Sequence, residues 1–80
     1  MPATVEQVVV QPYSDQYGTT YRVEVVYSYH VSGEYYPGRC EIGNSVSKAE
    51  ADGIISQYPK ETTVQIHVHP AKPELSILVL

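Results

Sequence analysis

From Tyr21 to Val31 the chain reads YRVEVVYSYHV, and its odd positions, Tyr21, Val23, Val25, Tyr27, Tyr29 and Val31, are all aliphatic or aromatic. The even positions, Arg22, Glu24, Val26, Ser28 and His30, are polar apart from Val26. A period of two over that length is a β-strand with one buried face, because successive side chains in a strand point to opposite sides. The buried face uses tyrosine because the chain has no other large ring: its 80 residues include eight Tyr and no Phe or Trp. Each phenol carries a hydroxyl that needs a partner or water, so these rings are expected to lie half buried with wet tips.

Ser32-Gly33 follows as a two-residue turn, with glycine where a positive φ is wanted. That turn sets Val31 opposite Glu34, Tyr29 opposite Tyr36, Tyr27 opposite Gly38, Val25 opposite Cys40 and Val23 opposite Ile42. Four of these five pairs bring apolar or small residues together on one face. On the other face Val26 meets Arg39, with Glu24 and Glu41 beside it, so the charges there can neutralise one another. Pro37 falls where the strand does not bond back to its Tyr21–Val31 partner. Residues 34–42 are therefore an edge strand, or one whose second partner begins after Pro37.

The period then changes. Ala51, Ile54, Ile55 and Tyr58 stand at i, i+3, i+4 and i+7, one face of a helix. Ser47 and Glu50 make a capping box, Val46 sits where a hydrophobic staple begins, and Pro59 ends the helix. Gly53 costs roughly 1 kcal/mol against alanine inside a helix, which suggests close packing on the sheet. Strand patterns return in TTVQIHVH, with Val64, Ile66 and Val68 on one side, and in Leu75–Leu80 after the stiff PAKPE connection. TVEQVVV near the start is strand-like as well, and QPYSDQYGTT reads as a loop. The predicted fold is α+β and mostly β: a five-stranded antiparallel sheet or small partly open barrel, with one helix between strands 3 and 4, in a single domain over residues 1–80.

Charge and composition narrow the partners. Five Lys plus Arg against nine Asp plus Glu give a net charge of −4, the wrong sign for phosphate neutralisation, so nucleic acid is not an expected partner. One cysteine makes no internal disulfide. The longest apolar run, ILVL, is far short of the ~20 residues that span a bilayer, and no signal peptide is visible, so the chain is expected to be soluble.

The chemically suggestive residues are few. His67 and His69 project from one face of a strand, and two imidazoles at that spacing can share zinc, but a third ligand is required. His30 belongs to another strand, and no spacing selects an acidic residue such as Glu6. The expectation is therefore a pair of polar-face histidines with no metal and no cofactor. Cys40 has inward parity while His30 has outward parity, so no nucleophilic dyad is expected, and no catalytic residue is nominated. Tyr21, Tyr27, Tyr29 and Tyr36 could stack on bases or sugars, but their inward parity points to a core role. In LSILVL, alternation separates Leu75, Ile77 and Val79 from Ser76, Leu78 and Leu80, so both faces turn apolar. Leu78 and Leu80, with Tyr35, His67 and His69, are the candidate ligand or interface residues, and self-association through the last strand is expected.

Several segments together resemble a known family. They are the Tyr-x-Tyr-x-Val strand at 27–31 with Gly33, Tyr36 and Gly38, the helix ending at Tyr58-Pro59, and Pro70, Pro73, Ser76 and Leu78 of HPAKPELSIL. The resemblance is to the bacterial family called domain of unknown function 3592, and it runs from about residue 5 to residue 78. That family commonly carries Tyr-Tyr-Asn or Tyr-Tyr-Asp before the first of the two prolines, where this chain has His67, Val68 and His69; the departure argues against a family-wide metal site. The resemblance implies either a module that flanks transmembrane helices, with membrane contact only through segments outside this chain, or a soluble relative of such modules, and it carries no catalytic residue. The expected function is a non-enzymatic interaction module with a protein partner or a second copy of itself. The alternative is a small barrel binding an oligosaccharide or other polymer through its tyrosines.

Overall fold

A computed structural model describes residues 1–79. Its elements are β1 (Pro2–Asp15), β2 (Gly18–Val31), β3 (Glu34–Val46), α1 (Lys48–Gln57), β4 (Thr63–Val68) and β5 (Ser76–Leu78). The strands form one antiparallel sheet in the order β3-β2-β1-β4-β5, with the helix between β3 and β4. This is the five-stranded, mostly β arrangement that the periodicity predicts. The sheet is not closed by backbone pairing, yet it curls until its edge strands β3 and β5 touch.

The β2–β3 hairpin turns on Ser32 and Gly33, whose φ values of 53° and 82° are both in the left-handed region. Such a turn matches the right-handed twist of the strands it joins. Four of the five expected pairs are present, from Val31 with Glu34 to Val25 with Cys40, and Val26 does face Arg39. The fifth is not: Val23 faces Gly43, because Ile42 is an extra residue in a bulge. The cause lies in the helix. Ile54 comes down on this point, and a Cβ on residue 43 would stand 3.0 Å from its Cδ1. The slip puts glycine rather than isoleucine under the helix, and a second slip before Val46, with Ser45 at φ 56°, completes the bend.

The segment 11–20, which reads as a loop, is instead the far end of the β1–β2 hairpin. Pairing continues from Gln11 with Arg22 to Asp15 with Gly18, and the turn is closed by the Asp15 carboxylate accepting from the Tyr17 N–H at 2.8 Å. Pro12 is tolerated because it occupies a non-hydrogen-bonded pair, and β4 covers β1 only at Pro2–Thr4. The missing N–H therefore points to an open edge. The result is a two-stranded arm that makes the molecule 48 Å long but only 22 by 17 Å across.

The helix begins as its capping box predicts, with Ser47 Oγ accepting from the Glu50 N–H at 3.1 Å. Ala51 is buried and Ile54 and Tyr58 are half-buried, but Ile55 is exposed. Gly53 is not packed on the sheet; it faces water, with nothing within 4 Å of the position its Cβ would take. The opposite holds at Gly38, where a Cβ would overlap the ring of Tyr27. That ring sits in a core made with Ala3, Val5, Val25, Tyr29, Ile66 and Leu78.

These two glycines give opposite expectations in chemical denaturation. Gly53→Ala should raise stability by about 0.5–1 kcal/mol through helix propensity alone. Gly38→Ala should lower it by about 1–3 kcal/mol through overpacking. A neutral Gly38→Ala would show that the Tyr27 ring can move aside.

Candidate functional site

Two tyrosines are committed to the interior. Tyr27 and Tyr29 are fully buried rather than half wet, and each hydroxyl has a protein partner. The Tyr27 phenol shares a 2.8 Å hydrogen bond with Ser76 Oγ, and the Tyr29 phenol donates to the Pro73 carbonyl at 2.6 Å. Tyr36 stacks on Tyr29 with ring centroids 5.7 Å apart and donates its O–H to Glu34 at 2.8 Å. Burial pushes the Tyr27 phenol above its ordinary pKa, against the opposing effect of its Ser76 hydrogen bond. The Tyr36 phenol is raised too, first by its hydrogen bond to the Glu34 carboxylate, which would repel a phenolate. Of the four tyrosines with inward parity, Tyr27 and Tyr29 offer no free face for stacking, while Tyr21 and Tyr36 are half-buried.

The remaining nominated residues are dispersed. Tyr35 is exposed on the outer face of β3, edge-on to His30 at 5.8 Å. Cys40 pairs with Val25 on the inner face, across the sheet from His30. His67 is exposed on the outer face of β4, and His69 lies just beyond the end of that strand. His69 Nδ1 accepts hydrogen bonds from the backbone N–H groups of Ala71 and Lys72, both at 3.1 Å. It therefore does what an Asn or Asp oxygen does when it caps a turn, and this is the position where the family resemblance expects one of those residues. Among the described residues no group of three or more His, Cys, Asp or Glu is placed to hold a metal ion.

Leu78 lies in the core of the domain. It pairs with Ile66 and is only 7% exposed, because the curl of the sheet turns this side of β5 into the core. Leu80 lies outside the described residues. The face left open is the other one: Leu75, Ile77 and Val79 are 49%, 65% and 45% exposed. Together with His67 and His69, Leu75 and Ile77 line a shallow groove of about 420 Å³, to which no carboxylate contributes. Alternation separates Leu75, Ile77 and Val79 from Ser76 and Leu78 correctly, but a pattern of period two does not say which set the body covers.

Elsewhere the outer face is charged and self-neutralised. Arg22 bonds to Glu24 and lies 3.7 Å from Glu41, while Arg39 lies 3.6 Å from Glu24. Ser28 Oγ donates to the Glu6 carboxylate at 2.5 Å. The arm exposes Tyr13 and Tyr17, which sequence reasoning left unassigned because it placed them in a loop.

The profile of a family described as Domain of unknown function (DUF3592) matches residues 1–80. No curated protein and no solved structure shows a match.

Both shifted phenols favour the protonated, folded form. Their contribution is complete below the ordinary tyrosine pKa of about 10 and is lost as pH rises through the raised folded values. Denaturation midpoints should therefore hold steady up to that pH and fall beyond it, with tyrosinate absorbance appearing together with unfolding. Tyr27→Phe should blunt the alkaline fall. Full ionisation of every tyrosine in a still-folded domain would contradict this account.

Proposed function

The chain belongs to the DUF3592 family, and on that premise we propose that it is a non-enzymatic interaction module that docks a second copy of itself on the outer face of β4 and β5. The observation that carries this reading is the exposure of Leu75, Ile77 and Val79 side by side on a domain this small. A contiguous apolar face rimmed by polar residues is the usual mark of a contact surface. The chain has a net charge of −4, yet the outward residues here, Thr63, Gln65, His67, Ile77 and Val79, include no Asp, Glu, Lys or Arg. A second copy therefore meets no like charge on this face. Two such faces can stack as sheets do, ~10 Å apart with their side chains interdigitated, and an isologous contact needs only this one patch on each copy.

Polymer binding through tyrosines is the weaker reading, since the clustered rings are interior and the exposed ones, Tyr13, Tyr17 and Tyr35, are spread over the arm and β3. The membrane attachment that the resemblance implies is assigned here to flanking segments. No helix among the described residues is long and apolar enough to cross a membrane.

Ile77→Glu is the informative variant, because a side chain this exposed can change without disturbing the core. Light scattering at rising concentration should show self-association of the wild type and a monomeric Ile77→Glu, with unfolding free energies measured at high dilution agreeing within about 0.5 kcal/mol. Leu78→Glu should unfold the domain instead. A wild type that stays monomeric at high concentration removes the second copy as the occupant of this face.

A further inference from the structure

We propose that His69 makes the connection between β4 and β5 proton-sensitive: its neutral imidazole holds the segment 69–75 closed, and protonation releases it. The segment is a compact turn held by local hydrogen bonds and by the bond from the Tyr29 phenol to the Pro73 carbonyl. The His69 N–H donates to the Leu75 carbonyl at 2.9 Å, the Leu75 N–H to the Lys72 carbonyl at 2.9 Å, and the Lys72 N–H to the His69 carbonyl at 3.3 Å. Inside this ring of bonds the Ala71 and Lys72 N–H groups converge on one atom, His69 Nδ1.

A neutral imidazole has one acceptor nitrogen and one donor nitrogen. With two amides aimed at Nδ1, the proton must reside on Nε2. Protonation leaves no acceptor: an Nδ1–H would confront both donors, so the ring must turn away, the Ala71 amide must find water, and the Lys72 amide keeps only its longer bond to the His69 carbonyl. The consequence is not confined to the turn, because the same segment supplies the Pro73 carbonyl to Tyr29 and leads into Ser76, the partner of Tyr27. Asparagine at this position could accept the same bonds without titrating.

The titratable groups around His69 are His67 on β4, lining the same groove, and Lys72 and Glu74 in the connection. Tyr29 of β2 and Tyr36 of β3, the latter with Glu34, face the connection from the other side. Among the described residues none of His67, His69, Lys72 and Glu74 forms a side-chain ion pair. The proposal does not depend on docking at the β4–β5 face, although Leu75 and Ile77 share the groove with His69.

The test is amide hydrogen exchange of Ala71, corrected for intrinsic rates, at neutral pH and after acidification to the point where the His69 ring nitrogens report the imidazolium. Imidazole nitrogen chemical shifts on the same samples report the tautomer. The wild type should carry its neutral proton on Nε2 and lose protection about fivefold on acidification, the equivalent of one hydrogen bond. His69→Asn should keep protection at both pH values, His69→Ala should lack it at both, and His67→Ala should behave as the wild type. The proposal is overturned by an Nδ1–H tautomer in the neutral protein, by pH-independent protection in the wild type, by full protection in His69→Ala, or by a pH response that survives His69→Asn or vanishes in His67→Ala.

Discussion

A core built from tyrosine has to end in hydrogen bonds. Tyr27 and Tyr29 occupy the centre of this domain, and a buried hydroxyl without a partner costs about 1–3 kcal/mol. Their partners come from the far edge of the sheet: Ser76 at the start of β5 and the Pro73 carbonyl just before it. The backbone ladder does not join β3 to β5, so the curl that brings those edges together is fastened by side chains. Gly38 is part of the same device, since only a residue without a Cβ lets the Tyr27 ring lie flat against β3. Among the described residues no buried side-chain nitrogen or oxygen is left without a partner.

The same interaction gathers several of the residues on which the resemblance rests. Tyr27, Tyr29, Tyr36, Gly38, Pro73, Ser76 and Leu78 are scattered over half the chain, and in the fold most of them meet around the buried phenols. They specify how the sheet closes. Residues used in this way bear on the fold and nominate no binding residue.

What could be read from the sequence was local. The alternation through β2, the Ser32-Gly33 turn and the capping box at Ser47 each depend on residues within one or two turns of chain, and each is present. What could not be read was decided by contact between distant elements. The bulge at Ile42 exists because Ile54 lands on Gly43, and the water-facing position of Gly53 follows from the angle at which the helix lies. The arm was misread because Pro12, Ser14, Asp15 and Gly18 are turn-forming residues, while the open edge that admits a proline was invisible. Tyrosines were expected to keep wet tips, but Ser76 and Pro73, more than 40 residues away in sequence, replace that water.

The distribution of polar residues along the open edges gives the β4–β5 face its weight. β3 is a long edge strand, and it carries several features that discourage pairing with another chain: Pro37, two register slips, and the charged pair Arg39 and Glu41 on its outer face. The arm directs Pro12 to its own open edge. The β3 edge and the arm's edge are thus each blunted against strand addition. On β5, by contrast, the outward positions are Ile77 and Val79, beside a β4 whose outward positions are Thr63, Gln65 and His67. A polar residue would satisfy strand geometry at either place as well as an aliphatic one does. A chain that blunts its other edges and leaves these positions apolar is what the proposed docking face requires, since hydrophobic contact, rather than charge or strand addition, would supply its attraction.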